Sequence, residues 1–550
     1  MLFREIFRLM GLYLFGFAFF LLIPIGVAGY YQFFDTLEHH PQPHTTIYFF
    51  YTLLITLALG FLGYFAGKKT KPQLYRREGI AAVVLIWLIT PAISALPFVL
   101  SGTLENPLQA YFEMASGYTT TGASIMAPKA YDPETGQEME IVQVVPGVHD
   151  TTYRYYGTIA PVRDPETGKI IASGVEAVSK ALLFWRSFSQ WLGGLGVVVL
   201  FVAILPALGV GGKLLYQAEV PGPVKEGVTP RIKETAIQLW KIYLFISVLE
   251  IGALIWVNPN LEWLDLFTIT FSTVSTGGFS IKNESIAGYH SFGTEMVVLV
   301  FFLLGSLNFT LYYFSFRGKF YRLKDPELIL YLIVLVLASL VISFSILGTP
   351  KMNMDGVYDG VFSLGEAFRY GVFQAASIQT STGFTTTNYD IWPYFPQVLL
   401  LILMYVGGMS GSTAGGMKMI RHYMVFRIAQ YRVESIFRPE SVRVFKVGGR
   451  EVDVKAASMV FVFFVIVIAL SMVATLFFVA DGCDPETSLG MVACFINNIG
   501  VAFRAASPIN GFAFLSEPSL VMASLVMILG RLEFFAFLAV LVPAFWKQDS

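Results

Sequence analysis

Long apolar runs alternate with short polar segments along nearly the whole chain. Runs such as residues 10–30, 47–66, 460–479 and 520–546 hold about 20 apolar residues or more, enough to cross a hydrocarbon core of about 30 Å. The first two read as a hairpin. Arg4 and Arg8 precede it, Asp35, Glu38, His39 and His40 lie in its connection, and Lys68, Lys69, Lys71, Arg76 and Arg77 follow it. From Gly79 onward the pattern changes. A span is followed by a helix-compatible stretch too short to cross, then a glycine-centred turn, then another span. The short stretches are residues 107–116, 263–273, 364–378 and 486–496.

This unit occurs four times, at 79–208, 235–316, 327–427 and 454–546, after a two-helix unit at 1–78. The pattern predicts an all-α polytopic membrane protein with four pseudo-repeated helix–pore loop–helix units around one pore. The turns read Thr119-Thr120-Thr121-Gly122-Ala123-Ser124, Val274-Ser275-Thr276-Gly277-Gly278-Phe279, Thr380-Ser381-Thr382-Gly383-Phe384-Thr385 and Asn497-Asn498-Ile499-Gly500-Val501-Ala502. Each unit starts and ends on one side, so each short stretch dips in from the other and brings its turn to membrane depth. Non-helical backbone is tolerated there only where protein buries it or a water-filled path runs beside it.

Charge orients the chain. Arg317, Lys319, Arg322 and Lys324 crowd one loop, and Arg432, Arg438, Arg443, Lys446, Arg450 and Lys455 another; with the loop at Lys68 these are predicted to face the cytoplasm, as are both termini. The composition agrees with a bilayer protein, being 55% hydrophobic and only 14% charged. A net charge of −1, sorted by loop, gives no sign of a nucleic-acid partner. The start is basic and its apolar run too long for a signal-peptide core, which predicts a retained first helix. Two cysteines, Cys483 and Cys494, build no disulfide framework and read as structural.

Residues 126–177 form a polar insert with two copies of Asp-Pro-Glu-Thr-Gly, at 132–136 and 164–168, each predicted to close a hairpin. Its acidic residues, among them Glu138, Glu140, Asp150 and Glu176, either gather cations at a pore mouth or simply form a solvated cap.

A desolvated alkali ion needs several oxygen ligands at once, and a ring of backbone carbonyls supplies them inside a membrane. Glycine permits the backbone shape, and the hydroxyls just before it add oxygens. The four short helices aim their partly negative carbonyl ends inward, which favours a cation. One such turn is weak evidence; four in the same setting are strong. A second constellation, Gly407, Gly408, Gly411, Ser412, Thr413, Gly415 and Gly416, interrupts the span after the third turn with more glycine than a continuous helix holds. A flexible segment is predicted there, below the turns. Gly411 to Lys418 superficially looks like a phosphate loop, but Met417 breaks the required pattern, so nucleotide binding by this chain is not expected. His39, His40 and His44 lack zinc-site spacing, and the spans offer almost no clustered acids, histidines or thiols for an enzyme.

The chain resembles the TrkH/KtrB branch of the bacterial and plant K⁺ transporter superfamily. The four turns carry that likeness, with Phe184-Trp185-Arg186-Ser187, Trp191-Leu192-Gly193-Gly194-Leu195-Gly196, Gly211-Gly212, Pro221-Gly222-Pro223, Pro230-Arg231, the 407–421 stretch, Gly530-Arg531-Leu532-Glu533 and Pro543-Ala544-Phe545-Trp546. The resemblance implies a K⁺-conducting subunit in the bacterial inner membrane. It also implies a homodimer with one pore per protomer, surrounding membrane lipids and a cytosolic RCK-type nucleotide-binding regulatory subunit, TrkA-like, as gating partner. K⁺ is then the transported ion, with no organic cofactor. Its ligands are carbonyls at Thr120, Thr121, Gly122, Ser275, Thr276, Gly277, Ser381, Thr382, Gly383, Asn498, Ile499 and Gly500. Plant relatives with serine at the first-loop glycine are associated with Na⁺, so Gly122 points to K⁺. The fourth turn has Asn498 and Ile499 where the others carry hydroxyls, which predicts looser inner-site selectivity, and its continuation Val501-Ala502-Phe503-Arg504 departs from the family pattern. Residues 407–416 correspond to an intramembrane gating loop and Arg531 to an arginine facing it; the plainer reading of Arg531 is a salt bridge to Glu533 or Glu250. A Na⁺-permeable pore or an ion-coupled symporter in the same fold is the alternative.

Overall fold

A computed structural model describes residues 3–34, 45–67, 76–132, 134–147, 150–164, 166–196, 232–352, 357–438, 446–447, 450–451 and 454–547. The acidic connection at 35–44, the basic stretch 68–75, the stretch 197–231 with its Gly-Gly, Pro-Gly-Pro and Pro-Arg motifs, and Arg443 lie outside the described residues.

Two long helices open the chain, α1 (Phe3–Phe33) and α2 (Thr45–Ala66). Their crossing is close because glycines line it. A Cβ on Gly11 would lie 2.6 Å from Gly60 O, and one on Gly63 2.8 Å from Phe7 O, so only small residues allow this approach.

Four segments then follow one plan. A long span leads to a short helix: α3 (Arg76–Leu100) to α4 (Pro107–Tyr118), α6 (Ile232–Val257) to α7 (Trp263–Val274), α10 (Pro326–Ile346) to α11 (Leu364–Gln379), and α14 (Val454–Ala480) to α15 (Pro485–Asn497). Among the described residues six helices are long and apolar enough to cross a membrane: α1, α2, α3, α6, α10 and α14. Their outward faces are apolar too. On α14, Val465, Ile468, Met472 and Leu476 are exposed at helical spacing while Phe463, Val467, Ala474 and Phe478 are buried, the pattern of a helix with protein on one side and lipid on the other.

The return segments behave otherwise. The helix after each short one is α5 (Lys180–Gly194), α8 (Phe292–Ser306), α12 (Tyr394–Val406) or α16 (Glu517–Arg531). The last three continue, after a break, as α9 (Phe309–Phe316), α13 (Met419–Phe437), and α17 (Phe535–Leu541) with α18 (Pro543–Trp546). Sequence predicts an interruption only in the third unit. The structure corrects this: α8 and α9 meet at 91°, and the 520–546 run is broken at Glu533 and Phe534, whose φ values are +53° and +65°. Two causes are local. Asn308 caps the new helix by accepting from Thr310 N–H at 2.8 Å, and the Glu533 carboxylate is held by Arg421.

As its turn motifs predict, the insert carries hairpins, with one short 3-10 helix at Gly174–Ala177, and two further small hairpins, Pro350–Met352 with Tyr358–Val361 and Lys446–Val447 with Arg450–Glu451, accompany an otherwise helical chain. Strand β1 (Ala130–Tyr131) pairs with β2 (Glu138–Met139), β3 (Ile141–Val145) with β4 (Thr151–Tyr155), and β5 (Val162–Arg163) with β6 (Ile170–Ala172). Both Asp-Pro-Glu-Thr-Gly copies close turns, with Gly136 at φ +66° and Gly168 at φ +68°. Thr135 Oγ1 and the Glu134 N–H donate to the Asp132 carboxyl and hold it below its usual range. Tyr153 pins the insert to the fourth unit, its hydroxyl 2.6 Å from Asp484 Oδ2.

Candidate functional site

Each short helix starts with a cap and ends with a turn of one type. Asn106 and Asp484 cap helices with proline at the first position, and Glu262 with Asp265 and Ser363 with Glu366 form capping boxes. At the other end the N–H groups of Thr121, Gly277, Thr382 and Ile499 each reach back five residues, to Ser116 O (2.9 Å), Ser272 O (2.7 Å), Ser377 O (2.9 Å) and Cys494 O (3.0 Å). The residues just before them, Thr120, Thr276, Ser381 and Asn498, sit at φ +54°, +52°, +56° and +54°. This is a Schellman closure with a side-chain-bearing residue where glycine is usual. A left-handed threonine is costly and persists only where surroundings enforce it, which marks all four positions as special.

Beyond each closure lies a left-handed glycine: Gly122 (φ +83°), Gly278 (φ +79°), Gly383 (φ +77°) and Gly500 (φ +90°). These glycines make the four turns a ring. A Cβ on Gly122 would lie 2.1 Å from Gly277 O, one on Gly278 1.9 Å from Thr382 O, one on Gly383 1.7 Å from Ile499 O, and one on Gly500 2.2 Å from Thr121 O. The glycine of each turn is therefore pressed by a backbone carbonyl of the next turn in chain order, and the glycine of the fourth by a carbonyl of the first. No residue with a side chain fits at those glycines.

This geometry corrects the second turn by one residue. Alignment on the first glycine makes Ser275, Thr276 and Gly277 the equivalents of Thr120, Thr121 and Gly122. In the structure those equivalents are Thr276, Gly277 and Gly278, and Ser275 is the helix cap. Two adjacent glycines leave the register open in the sequence; the five-residue closure onto Ser272 O fixes it. The second turn thus contributes a glycine where the first and third contribute threonine. Its Gly277 O also accepts from Gln190 Nε2 at 2.6 Å, and the Phe279 N–H donates to Gln190 Oε1 at 3.1 Å. The sequence gives Gln190 no motif of its own.

Thr119 and Thr121 share a hydroxyl contact of 2.7 Å, and Thr380 and Thr382 one of the same length. In the fourth turn Asn498 turns its amide sideways, donating to Thr121 Oγ1 and to Met527 O, each at 2.9 Å. It ties the fourth turn to the first. Thr120 Oγ1 and Asn498 Oδ1 are buried with no hydrogen-bond donor among the described residues, so their lone pairs remain free.

The glycine-rich segment sits against this ring. Gly415 N–H donates to Ser381 Oγ at 2.6 Å, Thr413 Oγ1 lies 3.4 Å from Thr276 Oγ1 and donates to Val274 O at 3.0 Å, and Gly415 and Gly416 pack on Asn497. It therefore touches the second, third and fourth turns at once. Its backbone also meets the groups freed by the α8–α9 break: Met409 N–H donates to Ser306 O, Thr413 N–H to Gly305 O, and Phe309 N–H to Gly411 O. Gly407, Gly411 and Gly416 are left-handed, Gly408 faces Ala414, and Ser412 Oγ donates to Met409 O. Glu327 Oε1, buried at the start of α10, accepts from Ser410 N–H (2.7 Å) and Ile420 N–H (3.1 Å) and so ties the segment to the first turn of α13. Arg531 donates to Thr413 O at 3.0 Å and to Gly193 O and Gly194 O at 2.6 and 2.9 Å, joining the segment to the end of α5. The sequence marks Arg531 through its cost in a span, but Glu327 and Asn308 stand outside any motif.

Four dipping helices whose carbonyl ends meet in one ring, inside a shell of apolar spans, define a pore-loop membrane protein. Comparison with known proteins specifies the family. A family model described as TrkH, cation transport protein, matches residues 165–547. The Trk system potassium uptake protein TrkH of Vibrio parahaemolyticus is 32% identical over 558 aligned residues, covering 100% of both chains. That of Escherichia coli strain K12 is 30% identical, over 99% of this chain and all of its own. The crystal structure of the potassium transporter TrkH from Vibrio parahaemolyticus superposes with a TM-score of 0.77 at 30% identity, covering 100% of both chains. The chain belongs to the TrkH family of cation transport proteins, a family of transporters and not of enzymes.

Proposed function

We propose that this chain is the pore-forming subunit of a Trk-type K⁺ uptake system and conducts K⁺ in a channel-like way through the ring of four turns. The observation that carries the reading is the ring itself, with backbone carbonyls at Thr121, Gly277, Thr382 and Ile499 brought together by left-handed glycines. Such a ring replaces the hydration shell of an alkali ion. The relatives' names supply K⁺ as the ion. The remaining ligands of the filter are carbonyls at Thr120, Gly122, Thr276, Gly278, Ser381, Gly383, Asn498 and Gly500, and the units at 79–208, 235–316, 327–427 and 454–546 each provide one quarter of it.

The segment 407–416 with Arg531 is the gate, in its obstructing position. A TrkA-like cytosolic subunit of RCK type withdraws it, and two copies of the chain pair in the bacterial inner membrane, each with its own pore. Both ends of the chain face the cytoplasm. Phe3 stacks on Trp546 with centroids 6.0 Å apart, and Arg77 donates to Lys547 O at 2.9 Å, which supports a common side for the two ends.

Reversal potentials in liposomes under opposed K⁺ and Na⁺ gradients test the function. A reversal near the K⁺ potential is expected. Equal permeabilities favour the Na⁺-permeable alternative, and a reversal set by two ions at fixed stoichiometry favours a symporter.

A further inference from the structure

Glu113 lies in the middle of the first short helix and Arg186 in the helix that follows the first turn, and both are buried, with side-chain exposures of 0% and 3%. Their contacts are fully specified. Glu113 Oε1 accepts from Arg186 Nε at 2.5 Å and from Ser124 Oγ at 3.0 Å, while Oε2 accepts from the Ile125 N–H at 2.9 Å. Arg186 Nη1 donates to Ser280 O at 2.7 Å, and the guanidinium lies 3.6 Å from the centre of the Phe279 ring. Ser124 and Ile125 come just after Gly122; Phe279 and Ser280 come just after Gly278. One ion pair thus holds the exits of the first and second turns together, next to the joint where Gly122 meets Gly277 O.

We propose that the Glu113–Arg186 pair is a positioning element for ion selectivity, fixing the spacing of the first two turns at the outer end of the ring. The inference rests on the reading of that ring as a K⁺ filter. Burial sets this pair apart from the ion pairs beside the third and fourth short helices. The pair Arg504–Glu486 at the outer end of the fourth short helix leaves its glutamate 64% exposed, and Arg369–Glu295 beside the third leaves its arginine 30% exposed. A buried ion pair is a poor source of stability, because desolvation of both charges offsets their attraction. What it supplies is direction. A carboxylate accepts on both oxygens at once, whereas an amide accepts on one and presents N–H to the other donor. The guanidinium likewise donates in two directions from one plane and stacks on a ring, which an ammonium does not reproduce. Both residue types are therefore required by the two turns they join.

The test uses the full-length protein in liposomes and the variants E113Q and R186K. Uptake of radioactive rubidium is competed with unlabelled K⁺ or Na⁺, and the ratio of half-inhibitory concentrations measures selectivity. E113Q keeps the shape and turns an amide N–H toward Ile125 N–H; R186K keeps the charge and loses the fork. In each, the preference for K⁺ falls about tenfold, equivalent to about 1.4 kcal/mol, while uptake continues. A purely structural role would lower melting temperature and yield but leave the ratio unchanged. Folded E113Q and R186K with the parental ratio overturn the proposal. If both variants fail to fold, Ser124→Ala carries the test, since it removes the Ser124 bond to Glu113, together with the one Ser124 Oγ accepts from Met126 N–H, and leaves the ion pair whole: a fall of about twofold or more supports the role, and an unchanged ratio overturns it. A parental protein with no preference for K⁺ over Na⁺ refutes the filter reading instead, so the two failures are distinguishable.

Discussion

Gly277 and Gly278 are neighbours in sequence but meet different surroundings, and alanine at each separates two registers of the second turn. At Gly278 the backbone is left-handed, φ +79°, and a Cβ would lie 1.9 Å from Thr382 O. A left-handed L-residue costs about 1–2 kcal/mol. Pushing a neighbouring backbone aside adds about 1–3 kcal/mol, as overpacking does elsewhere. Gly278→Ala should therefore lose about 2–5 kcal/mol, summed from those two ranges, and distort the ring. At Gly277 the obstacle is a side chain: a Cβ would lie 2.5 Å from Gln190 Cδ. Displacing Gln190 forfeits its two hydrogen bonds, at about 0.5–1.5 kcal/mol each. That loss is reversible by design, because Gln190→Ala removes the obstacle. The assay is thermal unfolding in detergent with K⁺ present, paired with rubidium uptake in liposomes. Gly277→Ala should gain stability in the Gln190→Ala background relative to simple addition of the two single effects, and Gly278→Ala should not. If Gly278→Ala retains parental selectivity while Gly277→Ala loses it with or without Gln190, the register described above is wrong.

Three further outcomes follow from the segment beneath the ring and from the fourth turn. Arg531→Ala removes charge-assisted bonds to Thr413, Gly193 and Gly194, each worth about 1.5–3 kcal/mol, and should raise rubidium leak without any cytosolic partner; parental leak would argue against a latch. Glu327→Ala releases the N–H groups of Ser410 and Ile420 and should make the 407–416 backbone exchange hydrogen faster, with unchanged exchange contradicting the clamp. Asn498→Ala loses two hydrogen bonds and a side chain that, after glycine, best tolerates a left-handed backbone, so stability should fall by about 2–5 kcal/mol, summed from those two terms, and the melting temperature with it; a neutral result would refute the tie between fourth and first turns.

Hydropathy makes the long spans legible, and the short helices show as apolar stretches too short to cross, each followed by a glycine-centred turn, because those signals are local; their caps at Asn106, Glu262, Ser363 and Asp484 come from the structure. The broken return segments do not show, since 292–316 and 520–546 are apolar enough to read as continuous. What breaks them is a cap at Asn308 and a distant pairing of Glu533 with Arg421, and distant partners leave no local pattern. The second turn illustrates the same limit on a smaller scale. Composition places a glycine there, and only the closure onto Ser272 decides which of the two adjacent glycines takes the left-handed position. Asn498 is the third case: read as a missing hydroxyl, it is a bridge to Thr121.

The stacking of Phe3 on Trp546, with Arg77 donating to Lys547 O, has a consequence for biogenesis. The first helix emerges from the ribosome long before Trp546 and Lys547 exist, so the N-terminal hairpin must wait in the bilayer with that flank unsealed until those residues are made. A nascent chain stopped just before Trp546 would carry all four turns of the ring and still lack this contact. Protease sensitivity near residue 3 would then report whether Trp546 had been made and docked.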